Sequence, residues 1–255
     1  MFLAIIFLAF GVLAWVAVGV LFYFRKKALG KTDVMRTTET SRASDVSGMS
    51  PGTLVEVKGA LRCESPLTSE MSEETCAYYL SQVVREYRET DRDADGDLKT
   101  RRRTEVVASN ERFAPFAVED ESGAIGVKAE DAEVDALEVM NRFEKDDGSG
   151  GGSISLGGFT VNLGGGEQTI GYRHVEKILP VDAPVYVLGP VGRDGGISAS
   201  DADHTGRFII SYRSEEQLEK KYKKDALVLA LIAAGLFVFG LIFVGVGVAA
   251  AVGAI

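Results

Sequence analysis

Asp91-x-Asp93-x-Asp95-Gly96-Asp97 spaces its carboxylates as the first half of a calcium loop does. Closely spaced carboxylates on a tight turn converge on a hard cation. A complete EF-hand loop also needs a bidentate Glu at its twelfth position, where this chain has Arg102. Asp91, Asp93, Asp95 and Asp97 therefore stand as a calcium candidate lacking half its ligands, with a solvated hairpin tip as the plainer reading. Two cysteines, Cys63 and Cys76, and two histidines, His174 and His204, are few for metal chemistry. Structural zinc takes four ligands, usually in close C-x2–4-C pairs. A Cys63–Cys76 disulfide requires an oxidising space, and buried thiols in a reducing cytoplasm are the expectation. His174, two residues before Glu176, has the chemistry of a general base. No G-x-S-x-G or H-E-x-x-H pattern accompanies it, so it reads as structural, and His204 as solvent-exposed. The glycine runs at 150–152 and 164–166 lack the G-x-x-x-x-G-K-[ST] of a phosphate cradle and read as hinges. No catalytic, cofactor-binding or metal residue is assigned, and no cofactor is expected.

Two segments are candidates for partner or membrane contact. Arg101-Arg102-Arg103 suits an acidic partner or lipid headgroups, or else balances the Asp-rich arm across a hairpin. Ile154, Leu156, Phe159 and Val161 surround Gly157-Gly158. A two-residue turn there sets Leu156 opposite Phe159 and Ile154 opposite Val161, a small hairpin with one greasy face. That face suits the bilayer, a partner or the domain's own core.

These residues are carried between two apolar segments. Phe2 to Phe24 and Ala226 to Ile255 hold no charge, and about 20 apolar residues cross a hydrocarbon core. The first segment has no basic n-region and no A-x-A site, unlike a cleaved signal peptide. The expected layout is a transmembrane helix at 1–24, a basic flank and polar linker at 25–51, a β-rich domain at 52–213, a polar juxtamembrane helix at 214–224 and a second transmembrane helix at 225–255. Arg25, Lys26, Lys27 and Lys31 follow the first span, and Lys220, Lys221, Lys223 and Lys224 precede the second. The positive-inside rule then puts the domain in the cytoplasm and both termini outside. The same cations favour membrane lipid. Gly11 and Gly19, with Gly235, Gly240, Gly245 and Gly247, allow close helix packing, as anchor pairing or self-association. Absence of charge inside the spans argues against an ion pathway. The net charge of −9 argues against nucleic acid.

Within the domain, Thr53 to Gly59 alternates as a half-buried strand, with Gly59 a bulge or sharp bend. Cys76 to Arg88 fits helical spacing, yet its Tyr and Val content favours a long strand. Arg101 to Ala108 would pair with it around a tip at Glu89 to Asp97. Tyr172 to Leu179 reads as a short helix or the start of a strand. Pro184 to Gly189 and Phe208 to Tyr212 read as strands, and Ser214 caps a helix leading into the second span. The fold class is mainly β, a small barrel-like α+β domain of roughly five to eight strands inserted between two transmembrane helices.

Several short patterns occur in a telling order. They are Val57-x-Gly59-Ala60-Leu61; Ser65-Pro66-Leu67-Thr68-Ser69 with Cys76; Pro115-Phe116-x-Val118 with Gly123-x-Ile125-x-Val127; Glu176-x-x-Leu179 with Val185-Tyr186-Val187-Leu188-Gly189; and Phe208-Ile209-Ile210-Ser211. This order, between two anchors, resembles the membrane-anchored ubiquitin ligases of the mitochondrial outer membrane, which carry a "beside a membrane" (GIDE) domain. The chain reads as a prokaryotic-type relative of them. In those ligases a RING domain with Cys/His zinc ligands follows the second span, whereas this sequence runs to Ile255 without a C-x-x-C pair. The resemblance thus implies a scaffold or recognition domain that binds protein or lipid-proximal partners at the bilayer surface without catalysis of its own. The alternatives are a component of a ligase-like system that needs a separate RING subunit, and a channel or transporter accessory subunit.

Overall fold

A computed structural model describes residues 2–92, 97–146, 152–156, 159–163, 168–199 and 208–252. The chain divides into two units, Met1–Glu39 with Glu215–Ile255, and Thr40–Ser214.

The first unit is a pair of helices, α1 (Phe2–Thr37) and, from the far end of the chain, Glu215–Ala251. Both are long and apolar enough to cross a membrane. They run antiparallel: Gly11 meets Val244, Trp15 meets Gly240 and stacks near Phe237, and Arg36 pairs with Glu219 at 3.3 Å. Gly11 and Gly240 are required by this approach, since a Cβ on Gly11 would lie 2.5 Å from Val244 and one on Gly240 2.6 Å from Trp15. Gly19, Gly235 and Gly245 face open space. Helix α1 continues beyond the apolar segment to Thr37. The segment Arg25–Arg36 is rich in Lys, Arg, Ala and Leu, which favour helix, and Thr32 and Met35 in it are buried.

In the second unit a short helix α2 (Ala43–Val46) is followed by fourteen strands among the described residues, more than the sequence suggests. They are β1 (Leu54–Arg62), β2 (Leu67–Thr68), β3 (Thr75–Arg92), β4 (Leu98–Phe113), β5 (Phe116–Asp120), β6 (Gly123–Lys128), β7 (Glu133–Asp135), β8 (Leu137–Lys145), β9 (Gly152–Leu156), β10 (Phe159–Leu163), β11 (Thr169–Pro180), β12 (Pro184–Pro190), β13 (Ile197–Ser198) and β14 (Ile209–Ser211). The helix Glu215–Ala251 is α3. Strands make up 44% of the described residues, in curled sheet, so the class is mainly β between two apolar helices. A seven-stranded sheet has the order β13-β6-β5-β1-β12-β14-β7. A second sheet has the order β2-β3-β11-β8, with β4 also on β3.

The central strand β1 exchanges partners at Ala60, leaving β12 for β5. Gly59 sits at this exchange, where a Cβ would lie 2.2 Å from the Glu119 carbonyl oxygen. The glycine is there for a close approach rather than a bulge. Val57, Leu61, Val118, Ile125, Val187 and Ile210 form the main core. Tyr78 of β3 and Leu179 of β11 reach into the same core from the second sheet. Beyond it β3 and β4 continue together as far as Arg92 and Leu98.

Candidate partner-binding arm

The long strand at Cys76 to Arg88 is real. β3 has 18 residues and β4 has 16. They pair from Tyr78–Phe113 out to Arg92–Leu98, with one register shift at Val83/Val84. Near its base β3 is flanked by β11, which holds β3 and β8 on its two sides. Tyr172 to Leu179 is thus neither helical nor short but the body of a 12-residue central strand. Its residues do not alternate: Arg173, His174, Glu176 and Lys177 are interleaved with Val175, Ile178 and Leu179, and Glu176 is buried along with Ile178 and Leu179. Towards the tip, β4 is exposed residue after residue from Leu98 to Val106.

Alternation on β4 splits the arginine triad between two faces. Arg102 reaches Glu86, which also takes Arg173 at 2.9 Å. Glu86 is nearly buried, and its carboxyl is held below the usual range by the hydrogen bond from Arg102, with Arg173 adding to it against the effect of burial. Arg103 donates to Glu89 at 2.7 Å. Among the described residues, the ion-pair partners of Arg102 and Arg103 are β3 glutamates. Arg101, in register with Glu89, has no partner among the described residues.

The hairpin at 152–163 pairs in the expected register, Phe159 with Leu156 and Val161 with Ile154. Cα atoms of β9 come within 8 Å of β4. The two contact candidates, Arg101–Arg103 and the Ile154–Val161 hairpin, therefore share one arm. The side chains of Ile154, Leu156, Phe159 and Val161, and residues Asp93, Asp95 and His204, lie outside the described residues. Asp91 pairs in register with Lys99, and no group of three or more potential metal ligands exists among the described residues.

The residues that sequence reasoning missed are those that fix the base of the arm. Glu176 of β11 is 0% exposed. Its carboxylate accepts from the Met71 amide (2.9 Å), the Ser72 amide (2.7 Å), the Ser72 hydroxyl (2.5 Å) and the Ser81 hydroxyl (2.5 Å). Burial pushes its pKa up, but the hydroxyls of Ser72 and Ser81 and the two amides outweigh this and hold it below the usual value. Glu176 thereby ties the loop before β3 to the sheet. Cys76 is buried beside Tyr79 and Ile178. Burial first, and the Glu176 charge second, push its thiol up to about 11, the opposite of a thiol activated as a nucleophile. Both cysteines are free. His174 is 12% exposed, with Nε2 3.5 Å from Glu144 Oε2.

A second surface lies at the Pro-Phe hairpin. A cleft of about 310 Å³ is lined by Pro115, Phe116, Ile125, Val127 and Ile197, with the Lys128–Asp194 pair (2.6 Å) in its wall. At the turn of this hairpin Asp120 accepts from the Ala43 amide at 2.9 Å and so holds the start of α2. Its carboxyl is lowered to about 2, first by the Ser122 hydroxyl and then by the Ala43 amide.

The GIDE family profile, described as E3 ubiquitin ligase, matches residues 86–247, more than half of the chain. The chain belongs to the GIDE family. The GIDE match takes in the outer part of β3, the Pro-Phe hairpin, Glu176 and most of α3. The E3 ubiquitin-protein ligase SPL1 of Arabidopsis thaliana is 24% identical over 241 residues, covering 89% of this GIDE chain and 67% of that relative. No solved structure matches the chain significantly.

Proposed function

We propose that this GIDE-family chain is a membrane-anchored scaffold or recognition domain. It binds a protein partner at the bilayer surface through the β3–β4 arm and does so without catalysis of its own. The observation that carries this reading is the exposed β4, on which Arg101 has no partner among the described residues and which has the 152–163 hairpin alongside it. A sheet edge offers main-chain hydrogen bonds to an added strand, and side chains on alternate positions select the partner. The cytoplasmic placement of the domain belongs to the same proposal and rests on the two basic clusters.

The test is site-specific photocrosslinking in native membranes, with the probe at Arg101 or Val106. A discrete adduct lost on deletion of 152–163 is the expected result. Failure of both positions to capture any protein, while a probe outside the arm captures one, would overturn the arm as the binding surface. A second reading is a ligase-like unit that works with a separate RING subunit. Ubiquitin-chain formation that depends on this chain, on a charged conjugating enzyme and on an added RING protein would establish that reading.

A further inference from the structure

Eight cations, Arg25, Lys26, Lys27, Lys31, Lys220, Lys221, Lys223 and Lys224, sit on α1 and α3 next to the apolar spans. The structure gives them fixed heights. Helix α1 runs unbroken through Lys31 to Thr37, and α3 is already helical at Glu215. Lys31 lies over the Tyr222 ring at 5.1 Å, and Arg36 pairs with Glu219 at 3.3 Å. This antiparallel register brings Arg25–Lys27 level with the first apolar residues of α3, and Lys220–Lys224 one to two turns further out. The cations therefore form a belt about 12 Å tall at 1.5 Å per residue, which covers the headgroup layer of one leaflet, roughly 5–7 Å thick.

The belt is only partly neutralised from within, although Asp33, Glu215, Glu216 and Asp225 lie on the same helical segments. Glu219 is shared between Arg36 and Lys223, the latter at 2.6 Å. Arg25, Lys26, Lys27, Lys220 and Lys224 have no acidic partner among the described residues, and Lys26, Lys27, Lys220 and Lys224 are exposed. Five of the eight cations, Arg25, Lys26, Lys27, Lys220 and Lys224, thus lie beside an apolar span without an acidic partner among the described residues, and their charge and position match one class of occupant. We propose that this belt is a binding surface for anionic phospholipid headgroups and enriches such lipids around the helix pair in one leaflet. The inference depends on the two helices crossing a membrane and on nothing about the arm, so capture of a partner by the arm neither supports nor weakens it.

The full chain is reconstituted in phosphatidylcholine bilayers with spin-labelled phosphatidylglycerol or phosphatidylcholine, and the motionally restricted fraction of each label gives their relative association. Each engaged cation near a membrane surface multiplies attraction about fivefold. A preference of threefold or more for phosphatidylglycerol is expected. It should fall to near one in 1 M salt, where the screening length is about 3 Å, and in the variant with Lys26, Lys27, Lys220 and Lys224 all changed to Gln. The salt arm uses the unaltered protein and is independent of how the variant folds. Equal association of the two lipids overturns the proposal, and so does a preference that survives both high salt and the four substitutions.

Discussion

Among the described residues, each of the two large sheets of the Thr40–Ser214 unit has one carboxylate no more than 1% exposed, and the two are stabilised by different means. Glu56 on β1 is 1% exposed and has Lys58 Nζ at 3.0 Å, with Tyr186 donating at 2.9 Å and Thr40 at 2.6 Å. Glu176 on β11 has no cation among its hydrogen-bond donors; all four are neutral, and two are main-chain amides. The difference lies in what each leaves behind when removed. Without Glu56, Lys58 turns to water, since it is itself partly exposed, and one buried hydroxyl, that of Tyr186, loses this acceptor. Without Glu176, the buried Ser81 hydroxyl and the half-buried Met71 and Ser72 amides lose their acceptor, while the Ser72 hydroxyl keeps Ser69, and each buried orphan costs about 1–3 kcal/mol. A charge held by fixed dipoles is thus more deeply built into the fold than one held by a mobile lysine.

The sharpest way to break this contrast is Glu176→Leu, expected to destabilise the full chain by about 3–5 kcal/mol in denaturant unfolding. An effect below that of Glu56→Leu would sink it. Next, Glu176→Gln keeps one acceptor oxygen and should cost about 1–2 kcal/mol, more than Glu56→Gln in the same assay. The acid side sharpens the comparison further. The folded Glu176 carboxyl lies below its unfolded value, which is about 4.3. Its contribution is therefore complete above that value and disappears as pH falls through the lower, folded one. The stability gap between the native chain and Glu176→Gln should narrow on acidification below about pH 4, and a gap that widened there would reverse the assignment. Glu86 is an intermediate case, held by arginines that are themselves partly or largely exposed. Arg102→Gln should cost about 0.5–1 kcal/mol, and Arg101→Gln should change stability by less than about 0.5 kcal/mol. A larger loss from Arg101 than from Arg102 would mean that the arm is braced differently.

Local pattern carries much of this fold. The Tyr and Val content of Cys76 to Arg88 identifies β3, Arg101 to Ala108 falls on its partner, and the Gly-Gly hairpin has its expected register. The failures have physical causes. Tyr172 to Leu179 leaves helix and strand both open because charged and apolar residues do not alternate along it, although it lies in mid-sheet between β3 and β8. Glu176 is visible as part of a family-like pattern, but its donor Met71 is 105 residues away in sequence. No spacing rule connects the two. The arginine triad reads as balancing aspartates because they are near in sequence, whereas strand register brings it to Glu86 and Glu89.

The close packing of α1 against α3 around Gly11 and Gly240 also affects the soluble unit. The chain leaves one helix before Thr40 and enters the other after Ser214. While the helices stay paired, an unfolded Thr40–Ser214 segment remains a closed loop. Closing a loop of this order by a cross-link removes about 4–5 kcal/mol of denatured-state entropy. The helix pair therefore acts on the β domain as a non-covalent staple, and a soluble fragment cut free of it would start from a wider unfolded ensemble than the anchored chain ever explores.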